Sequence, residues 1–360
     1  MSKQAGVSLV EIMVALTISM FIMLGIFQVF VGTNRSNNLG NGLARVQETG
    51  RFAIDFMVRD LRLVGYQGCI DNEAIDVTIL SDDADDLTTN LDTTELQAFR
   101  IAADNSIDGT APAELDDDDL DLDEMQVLSD VIYVQHASAQ SFALSGAATT
   151  SGSTATVPLT ESPTGVGAGD VMIITNCEAA DMFTVETAAG TNITLTTTGG
   201  ENSALPSALY DAGDLDENRA PAEVMSFDAV AYYVKDTGRN NSTDDDVFGL
   251  YQMNLLTGVE QEILEGVERI VVDYGQKLST DNIRYVPITD ANLDLSEVDR
   301  LRVSVLVASN ERVLQQDDAN TYQMLSTTVV PAGGTAPTYA NDRRLRRVFS
   351  TSFVMRNRAR

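Results

Sequence analysis

From Val7 to Val31 the chain runs 25 residues that are mostly apolar and carry one charge, Glu11. As a helix rising 1.5 Å per residue this run reaches roughly 37 Å, enough to cross the ~30 Å hydrocarbon layer of a membrane. A secretory signal has a shorter apolar region followed by a small-residue cleavage site. Here no such site follows before Asn34, so the run reads as a retained membrane helix. Lys3, on the short leading side, places the N-terminus in the cytoplasm and the rest of the chain across the membrane. Glu11 is the anomaly, because an ionised carboxylate there costs on the order of 2–3 kcal/mol. It either snorkels to the headgroups or finds a cation.

The helical pattern continues beyond the membrane. Leu39, Leu43, Val46, Gly50, Ala53, Met57, Leu61 and Val64 recur three or four residues apart, an amphipathic stripe. Arg51 and Asp55 stand four apart on the outer face, a spacing that permits weak pairing. Gly65-Tyr66-Gln67-Gly68 stops the helix. The expectation is one helix over about 7–64, lipid-facing in its first half and domain-packing in its second. After Cys69 the chain turns to short β-branched runs separated by Gly, Asp, Asn and Thr. Strands are expected near Val131–Val134, Val171–Thr175, Phe183–Thr187, Ile193–Thr197, Val230–Val234, Gly249–Asn254, Ile270–Tyr274, Leu301–Ala308 and Val348–Met355. The fold class is therefore α+β: a long N-terminal helix on an antiparallel β-sheet domain, with an additional β-rich insertion at about 137–223.

Composition excludes several functions. Lys plus Arg is 23 and Asp plus Glu 54, a net charge of −31, which argues against a nucleic-acid partner. A single His (His136) and two Cys (Cys69 and Cys177) leave no material for a His-based triad or a zinc site. There is no phosphate-cradling G-x-x-x-x-G-K-S/T loop, and with so many acids the proximity of two carboxylates in sequence carries no weight, so the chain is not expected to be an enzyme. His136 follows the run Val131-Ile-Tyr-Val-Gln and reads as a strand-end residue. Acidic runs at Asp82–Asp86, Asp116–Glu124 and Asp244–Asp246 have a sharp reading as calcium loops and a bland one as solvated loops. None has the EF-hand pattern, so no cofactor is expected, with calcium as the one candidate. From Arg343 to Arg360 there are seven Arg and no acid. This is either a nucleic-acid arm or, as favoured by the strand-like core Val348–Met355, a last strand whose arginines meet acidic loops or an acidic neighbour. Two Cys beyond an export helix imply an oxidising compartment, so Cys69 and Cys177 are expected to bridge, the alternative being two buried thiols.

The run Gly6-Val7-Ser8-Leu9-Val10-Glu11 resembles the processing site of type IV prepilins, with Val7 where Phe is usual. The resemblance implies cleavage after Gly6 by prepilin peptidase, N-methylation of Val7, and pairing of Glu11 with the terminal amine of a neighbouring subunit, which sets axial register. Ala44–Cys69, Gly169–Cys177 with Ala180-Asp-Met-Phe183, Leu264–Glu268 leading to Tyr274-Gly275, and Arg346–Ser352 with Arg356-Asn-Arg358 are similar to the landmarks of PilW-type minor pilins. The family implies a pilin-like fold and a low-abundance subunit that joins other minor pilins and the major pilin. It also implies an inner-membrane priming complex on the assembly platform, and a final place at the pilus tip, often beneath a large adhesin, in support of motility or adhesion. The expected divisions are a leader at 1–6, a membrane and filament-core helix at 7–33, its amphipathic continuation at 34–68 and a globular β-rich domain at 69–360. Two other readings share this spine: a GspJ-like tip pseudopilin of type II secretion, and a tip pilin binding a surface or calcium directly.

Overall fold

A computed structural model describes residues 8–70, 77–81, 96–109, 121–199, 201–206, 210–213, 221–278, 282–334, 337–355 and 357. The leader, Gly6 and Val7 lie outside the described residues, as do the acidic runs 82–86 and 116–119. One α-helix of 53 residues, Leu9–Leu61, forms the spine. Its start is set by a capping box. The Ser8 hydroxyl accepts from the Val10 backbone N–H at 3.4 Å, and the Ser8 backbone N–H donates to Glu11 Oε2 at 2.9 Å. Within the apolar half, the Thr17 and Ser19 hydroxyls donate to carbonyls one turn back, so neither remains unpaired in lipid. Arg62 caps the end, and Gly65 then takes φ +69°, a left-handed turn that glycine adopts without penalty.

The two halves of the helix meet different surroundings. From Leu9 to Phe30 the large apolar side chains are exposed, and none of the helix's most apolar stretch is buried in the chain. From Gly42 onward one stripe is buried: Gly42, Val46, Gly50, Ala53, Met57, Val58 and Leu61. The sequence pattern extends this stripe back to Leu39, but Leu39 is exposed and Leu43 only half-buried, because the globular part begins at the level of Gly42.

Two β-sheets meet that stripe. The larger, nine-stranded among the described residues, runs in the order Val77–Ile79, Ala180–Thr184, Val171–Thr175, Glu223–Asn240, Asp130–Ala143, Leu96–Ile101 and Ile107–Gly109. Asp246–Asn254 also pairs with the long 223–240 strand and carries Val259–Glu265 on its far side. All pairings are antiparallel except that of 77–79 with 180–184. The second sheet is a four-stranded antiparallel set: Asn282–Pro287, Val267–Leu278, Val298–Arg312 and Arg344–Val354. The main core lies between the helix and these sheets, uniting Val46, Met57 and Leu61 with Ile132, Val134, Tyr232, Ile270, Val303 and Val305. The fold is α+β, with the long helix on a predominantly antiparallel β domain.

Within the stretch 137–223, a small sheet (Thr149–Ser151, Thr154–Pro158, Asn192–Thr196 and Thr187–Ala189) has a core around Val157, Ile193 and Leu195. That core also takes in Ile174 and Val224 from the large sheet, so the two are continuous. The expected strand at Phe183–Thr187 is instead split into 180–184 and 187–189, because the Val185 N–H turns away to bond the Asp170 carbonyl. Val259–Glu265 and Asn282–Pro287 were not anticipated. Both are polar strands with little alternation to read.

The helix touches the second sheet most closely at Gly50, where a Cβ would stand 2.2 Å from the Phe349 ring. Gly50→Ala gains about 1 kcal/mol of helix propensity but must displace that ring, at about 1–3 kcal/mol. Gly50→Val, with a larger side chain and no better propensity, is expected to lower thermal and denaturant stability, and Phe349→Leu in the same chain to restore part of it. Undiminished stability of the single variant would contradict this packing.

Candidate assembly and processing site

Of Gly6, Val7 and Glu11, the residues expected to govern processing and assembly, Glu11 lies among the described residues and Gly6 and Val7 lie outside them. The capping box gives Glu11 an intrachain partner on the exposed start of the helix, held by the Ser8 N–H. A backbone N–H is only a dipole. The Glu11 carboxylate therefore has a donor but no cation within the chain, among the described residues. Its placement is one turn into a helix whose N-terminal dipole also favours an anion.

The cysteines meet where the spine ends. Cys69 and Cys177 form a disulfide with Cα atoms 5.1 Å apart, closing a sequence separation of 108 residues. Three local features bring the chain there. Gly68, at φ +81°, passes so close to Met225 that a Cβ would stand 2.5 Å from its methyl carbon. Asn176 accepts the Glu178 and Ala179 N–H groups through Oδ1, shaping the turn between strands 171–175 and 180–184. The Gly65 N–H and the Tyr66 carbonyl bond Gln135 and Ala137, adding backbone ties beside the bridge. The disulfide thus fixes the exit of the helix to the large sheet.

The C-terminal arginines are divided. Arg343, Arg344, Arg346 and Arg347 are described, and Arg356, Arg358 and Arg360 lie outside the described residues. Arg346 is buried and forked onto Glu268 (Nε–Oε2 2.6 Å, Nη2–Oε1 2.9 Å) and Asp342 (Nη1–Oδ1 2.7 Å), with Asp318 3.7 Å away and the Tyr339 ring against its guanidinium. Arg344 pairs with the same Asp342 and Glu268. Burial works to raise the Asp342 carboxyl, but hydrogen bonds and charge from Arg346 and Arg344 outweigh it and hold it below the usual range. Within the final strand, 344–354, Arg344 and Arg346 therefore satisfy buried acids.

The acidic loop that is described has a similar outcome. Asp245 accepts from Arg312 Nε at 2.8 Å, from Asn241 Nδ2 at 2.9 Å and from the Thr243 hydroxyl at 2.8 Å. The Arg312 bonds hold its carboxyl well below the ordinary value. A calcium ion at Asp244–Asp246 would have to displace that arginine. No group of three His, Cys, Asp or Glu able to hold a metal occurs among the described residues. His136 departs from expectation: it is buried in the middle of the 130–143 strand, not at its end, opposite Asp228. The strand's run simply continues past the apolar residues that marked it in sequence.

Residues 231–357 match the family model described as Type IV Pilus-assembly protein W, and residues 1–27 match the prokaryotic N-terminal methylation motif. Together they match a type IV pilus minor pilin. No curated protein matches the chain by sequence. The PilW match starts within the long 223–240 strand and runs through the second sheet to residue 357, covering most of the strands that touch the spine helix. The methylation motif and the long apolar helix fit a membrane-anchored pilin, and pilin families are structural proteins rather than enzymes. The partners of Arg346, Glu268, Asp318 and Asp342, were not legible in the sequence, since only the folding of the chain brings them together.

Two outcomes are expected. Arg346→Leu leaves three buried carboxylates with one cation fewer and should cost about 3–5 kcal/mol, read by urea unfolding; a loss below measurement error would show the cluster to be solvated. The double variant Cys69→Ser with Cys177→Ser should lose about 2–4 kcal/mol, given the long loop, while wild type shifts in gel mobility on reduction.

Proposed function

We propose that this chain is a minor pilin that joins sibling minor pilins in a priming complex at the inner membrane, starts pilus assembly, and is carried to the pilus tip in support of motility or adhesion. The N-terminus faces the cytoplasm, where prepilin peptidase cleaves after Gly6 and Val7 is methylated. The globular domain faces the periplasm. Its partners are the other minor pilins, the major pilin, the assembly platform and a large tip adhesin. The division into a leader at 1–6, a membrane helix at 7–33, its continuation at 34–68 and a globular domain from 69 follows this reading.

The observation that carries it is the two-faced spine: one unbroken helix whose first half finds nothing apolar in its own chain and whose second half is locked to the sheets. Such a helix needs lipid before assembly and neighbouring helices after it. Withdrawal from lipid into a fibre removes water and headgroups from Glu11, which then needs a full counter-charge. The amine freed at Val7 of an adjacent subunit supplies one, a full charge where the Ser8 N–H offers only a dipole.

Glu11→Val should remain inserted in the inner membrane but fail to enter pili, by immunoblot of sheared filaments against membrane fractions. Wild-type incorporation would remove Glu11 from this role. Gly6→Phe should leave a precursor longer by the leader, seen by mass spectrometry of the intact protein. A precursor processed normally would place the cut elsewhere.

A further inference from the structure

Beside the last turn of the spine helix lies a cavity of about 240 Å³, outside the features discussed so far. Asp60 closes one side, and the cross-strand pair His136 and Asp228 forms the floor. Val230 and Val259 give apolar walls, and Val259, on the outermost strand, is exposed, so the mouth is open.

The amides of Gln252, Asn254 and Gln261 complete the lining, and the two carboxylates keep accepting capacity. His136 Nδ1 lies 3.1 Å from the Ala137 carbonyl oxygen, so Nδ1 carries a proton and donates it. Nε2, on a ring that is only 5% exposed and lines the cavity, has no hydrogen-bond partner. Asp228 accepts one bond, from Asn254 Nδ2 to Oδ1 at 3.2 Å, and Asp60 accepts one, from the Tyr232 hydroxyl to Oδ2. Neither carboxylate is ion-paired with a Lys or Arg among the described residues, whereas Arg100, Lys235, Arg239, Arg284, Arg312, Arg344 and Arg346 all are. Burial pushes the Asp228 carboxyl up, Asp60 and Asp170 add to this, and His136 and Asn254 act against it. An arriving cation would reverse that penalty.

The acceptors are too dispersed for a metal ion, since no such group converges. They suit a wider donor. A guanidinium is planar, carries five N–H groups, and sits on an aliphatic stem that the valine walls would cover. We propose that this cavity receives one arginine side chain from a neighbouring pilin subunit. That donor's being a subunit rests on the assembly role proposed above; the cavity's affinity for a guanidinium does not.

The chain itself supplies a reporter, because His136 is its one histidine. The ring Cε1–H signal of the full chain in detergent micelles is followed by NMR during titration with methylguanidinium, and with methylammonium at matched ionic strength. A saturable shift with methylguanidinium is expected, at least tenfold weaker with methylammonium, and weakened at least tenfold by Asp228→Asn and, independently, by Asp60→Asn, with near-UV circular dichroism confirming that each variant is folded. A linear, unsaturated shift, or equal binding of methylammonium, would overturn the site. The Asn357 amide donates to the Val64 carbonyl at 3.1 Å, close to Asp60 in sequence, so the chain's own Arg358 and Arg360 are the competing source. Binding seen only in a chain ending at Asn357 would assign the cavity to that tail and overturn the intersubunit donor. Normal entry of Asp228→Asn into pili, with probe binding lost, would likewise remove the subunit as donor while leaving the cavity and the assembly role standing.

Discussion

A helix that passes through two solvents sets the terms for this molecule. Sixteen large apolar side chains between Leu9 and Phe30 find no cover in their own chain. At about 1.5–3 kcal/mol each, the exposure is worth on the order of 30 kcal/mol, more than the whole stability of an ordinary domain. The first half of the helix is therefore stable only in lipid or among like helices. Its backbone tolerates either, because every turn bonds within itself and the few hydroxyls bond back to it.

Rigidity below the membrane follows from how the second half is held. Gly42 and Gly50 let the helix come close to the strands, and Phe349 fills the space at Gly50. At the exit, the Cys69–Cys177 bridge and the bonds from Gly65 and Tyr66 to the 130–143 strand prevent the domain from swinging on its stem.

The charge pattern has a logic of its own. With 23 basic residues against 54 acids, cations are scarce, and several that are described are placed where an unpaired carboxylate would be most costly. Arg346 serves Glu268, Asp342 and Asp318, Arg100 serves the fully buried Asp130, and Arg312 serves Asp245. Against that usage the cavity at Asp60 and Asp228 stands out, for its carboxylates are left to a hydroxyl and an amide.

Much of this was legible in the order of residues, where the signal is local. The apolar run, the three- and four-residue stripe, the glycines that end the helix, the motif around Gly6 and Glu11, and eight of the strands each depend on neighbours in the chain. The polar strands 259–265 and 282–287 gave no such signal, since a strand held by its partners needs no alternation of its own. His136 was misplaced because the strand outlasts its apolar residues. What only the tertiary structure decided is who faces whom: that Arg344 and Arg346 turn inward to Glu268, that Asp245 is held by Arg312, and that Asp60, His136 and Asp228 share one cavity. The amino-acid sequence by itself determined a membrane-anchored, two-faced helix followed by an antiparallel β domain, because hydrophobic periodicity and turn chemistry act over a few residues. Pairings across 70 to 170 residues are fixed by strand register and packing, and no local pattern encodes them.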